Sequence, residues 1–154
     1  MSKIPSKKVH RAAFGYHLIQ LSRRWRRLDE KIMASYGYTD VSWVPLVHLY
    51  NAPPMMQKEL AALCGLDTSS LVRLLTPLTE QGLLNRLPNP NDRRAWLLEL
   101  TPEGKKQAQH ITQILHESEQ AILNDIPQEF IESFLNASEH IDNTIQRLYD
   151  KKQK

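Results

Sequence analysis

The chain of 154 residues has few of the features that mark several large protein classes. Its one cysteine, Cys64, excludes intrachain disulfides and a metal cluster held by cysteines. Its five glycines are scattered, so the sequence has no glycine-rich loop to cradle a phosphate. No apolar run approaches the roughly 20 residues that a membrane-spanning helix needs. No histidines are spaced as a metal-binding pair, so we expect no metal and no cofactor.

The sequence also has no export signal that we can recognise. The basic N-terminus is not followed by the apolar stretch of such a signal, so we expect a cytoplasmic protein without membrane association. We recognise no pairing of a nucleophile with a base, so we expect no enzyme activity.

The net charge of +3 is mildly basic and permits a nucleic-acid partner without requiring one. The charge is unevenly distributed: residues 1–31 carry nine Lys/Arg against two Asp/Glu, and residues 107–150 carry Arg147 alone against eight acids. This asymmetry indicates a binding surface on one side or pairing between the two ends. The arginines of the basic segment could pair across a dimer, contact phosphates or be solvated; they are Arg23, Arg24, Arg26 and Arg27.

Apolar residues at helical spacing predict long helices near both ends of the chain. One runs from about His10 to Ser35 and ends at Gly37. Another begins at Thr101-Pro102-Glu103 and reaches about Leu123, and the last covers the region from Phe130 to about Tyr149. Long apolar stripes in so small a chain must be covered, and we expect them to pack across a dimer.

The central part predicts shorter elements. Thr39 or Asp40 can cap a second helix, in which Pro45 predicts a kink or a late start. A third helix spans Met56 to Cys64 and ends at Gly65. The apolar residues that we expect it to turn inward are Leu60, Ala61 and Leu63.

A fourth helix spans Thr68 to Gln81, with Asp67 as its cap. Its expected buried face consists of Leu71, Leu74, Leu75 and Leu78. Two strands, Leu83–Leu87 and Trp96–Leu100, then flank a long polar tip, so the segment is predicted to form a hairpin.

A short helix, a turn with Gly65, a second helix and a hairpin together predict a winged helix-turn-helix. The second helix of such a motif enters the DNA major groove. Its exposed face carries Ser69, Val72, Arg73 and Thr76, which suit phosphates and base edges. The tip adds Asp92, Arg93 and Arg94, which could reach the minor groove. The alternatives are an ordinary packed helix pair and a solvated loop.

The central residues resemble the MarR family of transcriptional regulators. The resemblance is strong over residues 57–104, and Asp92-Arg93-Arg94 followed by Leu100-Thr101-Pro102-Glu103-Gly104 is its most specific part. Ser70-Leu71-Val72-Arg73 and the arginine-rich first helix are most similar to the SlyA branch.

The resemblance implies a mainly α fold with a small β-hairpin, a winged helix-turn-helix with long N- and C-terminal dimerisation helices. The expected regions are a dimerisation helix at 1–38, the DNA-binding region at 39–100 and dimerisation helices at 101–154. The partners implied are a second copy and a pseudo-palindromic double-stranded DNA operator, from which a small anionic or phenolic ligand releases the protein. The expected DNA contacts are Thr68, Ser69, Ser70, Arg73, Thr76, Arg86, Asp92, Arg93 and Arg94.

Three further features allow competing interpretations. His17, Tyr36 and Trp43 could line a ligand pocket, or could simply pack in the core and interface. Cys64 could be a redox switch, although a buried small hydrophobe is the better interpretation. Pro77 departs from the family pattern and leaves the course of the fourth helix open. The main alternative function is a winged-helix adaptor that binds proteins and not DNA.

Overall fold

A computed structural model describes residues 13–38 and 41–152 of the chain, without the side chains of residues 93, 94 and 152. The helices are α1 (Phe14–Ser35), α2 (Trp43–Leu49), α3 (Gln57–Cys64), α4 (Thr68–Glu80), α5 (Pro102–Leu123) and α6 (Gln128–Lys152). The strands are β1 (Met55–Met56), β2 (Leu84–Asn89) and β3 (Asp92–Leu100). This is the mainly α fold with a small sheet that the sequence predicts.

The first two helices follow the predicted pattern where the structure describes them. Helix α1 ends before Gly37, whose φ of 91° takes the chain out of the helix. Its expected start near His10 and the expected caps Thr39 and Asp40 lie outside the described residues. Helix α2 starts late, at Trp43, which places Pro45 in the first turn, where a backbone N–H has no partner within the helix.

Helices α3 and α4 form a helix-turn-helix joined by three residues. Gly65 ends α3 in the left-handed conformation, with a φ of 65°. Leu60 and Ala61 are buried as predicted, but the inward orientation of Leu63 was wrong, because its side chain is 54% exposed. At about 100° per residue, the buried Ala61 and Cys64 lie on one side of Leu60 and Leu63 lies on the other, away from the centre of the buried face.

The three strands form one antiparallel sheet in the order β1-β3-β2. The two residues of β1 are too few to give a sequence pattern, and no strand was predicted there. The prediction of a long polar tip was also wrong, because β2 and β3 continue into it and leave only Pro90 and Asn91 between them. Pro88 pairs with Trp96 and Asn89 with Asp92, so residues 93–95 form a bulge on β3.

The structure divides into two compact units, with the boundary inside α5 after Leu115. The first unit contains the core of the described residues, built from α1 to α5 and the sheet. Leu71, Leu75 and Leu78 of α4 lie in this core, while Leu74 is half-buried. The face that the leucine spacing predicts is therefore the face that anchors α4.

Gly104 fixes the first turn of α5 against the end of the helix-turn-helix. A Cβ atom at this position would lie 2.1 Å from the backbone oxygen of Leu83. The Thr101 hydroxyl donates to the carbonyl of Gly82 at 2.7 Å and accepts from the Gly104 amide at 3.0 Å. The Thr-Pro-Glu-Gly sequence thus both caps α5 and clamps it to the residues that follow α4.

The second unit consists of the C-terminal end of α5 and the whole of α6. Its apolar stripe includes Phe134, which is 49% exposed, and Leu148, which is 58% exposed. No residue of α6 that the structure describes is buried. Among the described residues, no helix is long and apolar enough to span a bilayer.

Candidate nucleic-acid interface

The exposed face of α4 presents a continuous polar surface. Ser69, Val72, Arg73 and Thr76 are all exposed, as the helical wheel predicts. They follow one another at three, one and three residues, so they share one face of the helix. The face combines hydroxyls, a guanidinium and one aliphatic side chain, which are the groups that read DNA major grooves.

Asp67 organises the N-terminus of α4. Its carboxylate accepts the amide of Ser70 at 2.8 Å, as expected of a helix cap. It also accepts the hydroxyl of Ser69 at 2.5 Å and that of Ser70 at 2.6 Å. These hydroxyls, Ser69 first, hold the pKa of Asp67 well below its usual range. The carboxylate is therefore ionised at neutral pH. Thr68, the next residue, begins the helix.

The C-terminal half of α4 contains the proline that departs from the family pattern. Pro77 has no N–H to donate to the carbonyl of Arg73, yet α4 continues to Glu80. The proline is half-buried beside the exposed Thr76. On the exposed face, Thr76, which precedes the proline, donates its hydroxyl hydrogen to the Val72 carbonyl at 3.0 Å.

The hairpin of β2 and β3 forms the wing. Asp92 is exposed at the start of β3, and the backbones of Arg93 and Arg94 follow within the bulge. Bulges re-aim side chains and locally end strand pairing, which suits a segment that contacts a ligand. Arg86 lies further back, opposite Leu98 on β3, and its side chain is exposed.

One cavity of about 260 Å³ lies within the first unit. Its lining residues are Gly37, Tyr38, Ser42, Trp43, Leu46, Leu78, Gln81 and Gln107. Of the three residues predicted to hold a ligand, Trp43 lines this cavity. Tyr36 instead packs edge-on against His110, and His17 packs against Tyr16. Leu78 and Gln81 come from the C-terminal end of α4 and its cap, a connection that the sequence pattern does not reveal.

Cys64 lies in the core of the first unit, and burial raises the pKa of its thiol to about 11. The positive charge of Arg26 acts in the opposite direction with a smaller effect. Because a thiol with this pKa remains protonated at neutral pH, it is a poor nucleophile. The structure thus favours the buried-hydrophobe interpretation. In the part of the chain that the structure describes, no group of three His, Cys, Asp or Glu side chains could hold a metal ion.

The basic cluster of α1 is exposed. Arg26 pairs with Glu30 of the same helix at 3.5 Å, and Arg24 donates to the backbone oxygen of Gln20 at 3.4 Å. Surface pairs of this kind add little to stability.

The helix-turn-helix, with a hairpin beside it and a polar outer face on its second helix, defines the class of winged helix-turn-helix proteins. A model of the MarR family matches residues 38–96. The transcriptional regulator PA3341 is 30% identical, with a TM-score of 0.80 over 87% of this chain and 98% of that chain. The chain belongs to the MarR family of transcriptional regulators.

Two further solved structures have the same fold. NadR, crystallised in complex with 4-hydroxyphenylacetate, is 26% identical, with a TM-score of 0.74 over 90% of this chain and 97% of that chain. MarR from E. coli is 20% identical, with a TM-score of 0.70 over 88% of this chain and 98% of that chain. The winged-helix fold predicted from the sequence is confirmed.

Proposed function

We propose that the protein is a sequence-specific DNA-binding transcriptional regulator without enzyme activity. The exposed polar face of α4 carries this proposal, because a fully anchored helix presents it at the surface with Arg73 at its centre. In this proposal α4 enters the major groove through Thr68, Ser69, Ser70, Arg73 and Thr76. The wing reaches the minor groove through Arg94, with Asp92, Arg93 and Arg86 as supporting contacts.

The regulator acts as a homodimer in this proposal. The exposed apolar residues of α1 and α6 support it, since Phe14 and Phe134 are too exposed to contribute to the core of one chain. A second copy that covers these faces would present two copies of α4 to one duplex. Two-fold symmetry then requires a pseudo-palindromic operator. Residues 1–38 and 101–154 serve dimerisation, and residues 39–100 serve DNA binding.

We propose further that a small anionic or phenolic molecule releases the DNA. The cavity beside Trp43 supports this idea, because it is of a size for a single-ring ligand and is lined by the amide side chains of Gln81 and Gln107. Leu78 and Gln81 belong to the end of α4 and its cap, so an occupant would contact the recognition helix directly. The structure of NadR with 4-hydroxyphenylacetate makes small aromatic carboxylates the first ligands to test.

We also propose that the protein belongs to the SlyA branch of the family and that it acts in the cytoplasm, where the chromosome lies. The Leu-Val-Arg sequence at residues 71–73 supports the first, and action on DNA supports the second. A winged-helix adaptor that binds only proteins would not need the set of Ser69, Arg73 and Arg94.

The experiment is a genome-wide binding footprint followed by mobility shifts on the sites that it recovers. Arg94→Ala should weaken binding by about 5- to 150-fold, the effect of losing one good groove contact. Arg147→Ala removes the same group from α6 and serves as the matched control, with unchanged affinity expected. Equal affinity of Arg94→Ala and the wild type would remove the wing from the proposal. The absence of any footprint would favour the adaptor.

A further inference from the structure

Three hydroxyls among the proposed DNA contacts of α4 donate their hydrogens to oxygens of residues 67–72. Ser69 and Ser70 hydroxyls donate to the two carboxylate oxygens of Asp67, and Thr76 donates to the carbonyl of Val72. Carboxylate and carbonyl oxygens can only accept, so the direction of each bond is fixed by the chemistry of the partner. A hydroxyl has one hydrogen, and each of these groups therefore meets an incoming ligand with its lone pairs.

The two serines are held in this state most firmly. Their bonds end on an ionised carboxylate, and such bonds are roughly twice as strong as those between neutral groups. Turning either hydroxyl outward would leave Asp67 with one donor fewer. The negative charge of Asp67 also disfavours a phosphate at this point of the surface, although a base edge carries no formal charge. The helix N-terminus is thus suited to base edges and not to the DNA backbone.

The chemistry of the bases decides what such a surface can read. Adenine and cytosine present an amino group in the major groove, whereas guanine and the thymine oxygen offer acceptors there. Val72 follows Ser69 by three residues and is 38% exposed, so it adds an apolar contact that suits the thymine methyl group. An A·T pair presents an amino group and a methyl group together.

We propose that Asp67 is a positioning residue that turns the Ser69 and Ser70 hydroxyls into acceptors, so that α4 reads A·T pairs through the adenine amino group while Val72 contacts the thymine methyl. This inference rests on the proposed DNA-binding function and assigns the class of base pair that the function recognises.

Base analogues test each contact separately. Sites are first selected from random duplexes, and each adenine is then replaced by purine, which lacks only the amino group. At one or more A·T pairs, purine should weaken wild-type binding by about threefold to tenfold, the effect of one neutral hydrogen bond. The same replacement should have no further effect in Ser69→Ala or Ser70→Ala, since the loss is then already present. Uracil, which lacks the methyl group of thymine, should likewise weaken binding by the wild type and have no further effect on binding by Val72→Ala.

Asp67→Asn tests the positioning role itself. Asparagine still caps the helix, but its amide nitrogen donates where a carboxylate oxygen accepted. Its oxygen still accepts the Ser70 amide and the Ser69 hydroxyl, so only the Ser70 hydroxyl changes direction. The variant should therefore lose the discrimination between adenine and purine at the pair that Ser70→Ala identifies. It should retain the discrimination at the Ser69 pair, its melting temperature and its binding to unrelated DNA. A purely structural role would instead lower the affinity for all duplexes alike. The matched control for the two serine variants is Ser133→Ala, which removes a hydroxyl that donates to the Glu129 carbonyl on α6.

Two results would overturn the inference while DNA binding stands. In the first, purine weakens binding equally in the wild type, in Ser69→Ala and in Ser70→Ala. In the second, no A·T pair of the selected site responds to either base analogue. Failure to bind every duplex would instead overturn the proposed function.

Discussion

The winged region and the terminal helices of this protein use apolar residues in opposite ways. In the winged region, leucines such as Leu71 and Leu75 are fully covered by the chain itself. On α6, residues of similar character, such as Phe134 and Leu148, stay about half exposed. The first pattern gives a self-sufficient core, and the second leaves the apolar surface that we propose a second copy covers. The difference teaches that the same helical periodicity can bury a helix within one chain or leave its apolar face at the surface, where in our proposal it serves assembly.

The largest expected effect is on assembly. Phe134→Glu combined with Leu148→Glu places charges on the apolar face of α6, where a partner chain would have to bury them. We expect the dimer to dissociate, which sedimentation or light scattering would show as a halved mass. Asn136→Glu adds the same charge on the opposite face of α6 and should leave the mass unchanged. A wild-type protein that is already monomeric would contradict the assembly role of this face.

The next effect is on the core. Leu75→Ala should reduce the free energy of unfolding by about 2–5 kcal/mol, because the side chain is completely buried in the first unit. Leu63→Ala, on the exposed side of α3, should change it by less than about 0.5 kcal/mol. Urea denaturation measures both. Similar losses in the two variants would mean that the contrast between covered and exposed leucines is wrong.

A smaller effect is expected at the junction between the wing and α5. Gly104→Ala should reduce the free energy of unfolding by about 1–3 kcal/mol, since the new methyl group meets the Leu83 backbone. Gly15→Ala is the matched control, because a Cβ atom there has no neighbour within 4 Å. Alanine in this helical position should stabilise α1 by about 0.5–1 kcal/mol. A neutral Gly104→Ala would show that the two backbones are not held in contact.

The smallest effect on the fold concerns Cys64. Its thiol has a pKa of about 11 against an ordinary value of 9.0, so alkylation of the native protein at pH 8 should be about 100-fold slower than in urea. Because the folded pKa is raised, the stability linked to this group is complete below pH 9 and is lost as the pH rises towards 11. Equal alkylation rates in the native and unfolded states would restore the redox interpretation.

Much of the fold follows from local signals in the sequence. The leucine spacing of α4, the cap at Asp67 and the stop at Gly65 all depend on neighbouring residues, and the structure has them where they were predicted. The short strand β1 and the continued pairing of the wing depend on contacts between distant residues, such as Met55 with Leu98. Such contacts leave no periodic pattern, and this is why the strand was missed and the polar tip was predicted too long.

The candidate site divides in the same way. The exposed set on α4 could be predicted because a helix of known phase determines which side chains point outward. The sequence identified Asp67 only as a cap, since its bonds to both serine hydroxyls depend on rotamers. The cavity brings Trp43 together with Gln81 and Gln107 from three separate segments, and only the folded chain shows this arrangement.

The most direct test of the DNA-binding proposal is the affinity for a selected duplex over a series of salt concentrations. Contacts between the arginines and phosphates release bound counterions, so the logarithm of the binding constant should fall linearly with the logarithm of the salt concentration. Arg73→Ala should lower the affinity, and the slope should fall by about 1 if this arginine contacts a phosphate. An affinity that does not change with salt would contradict DNA binding by this protein.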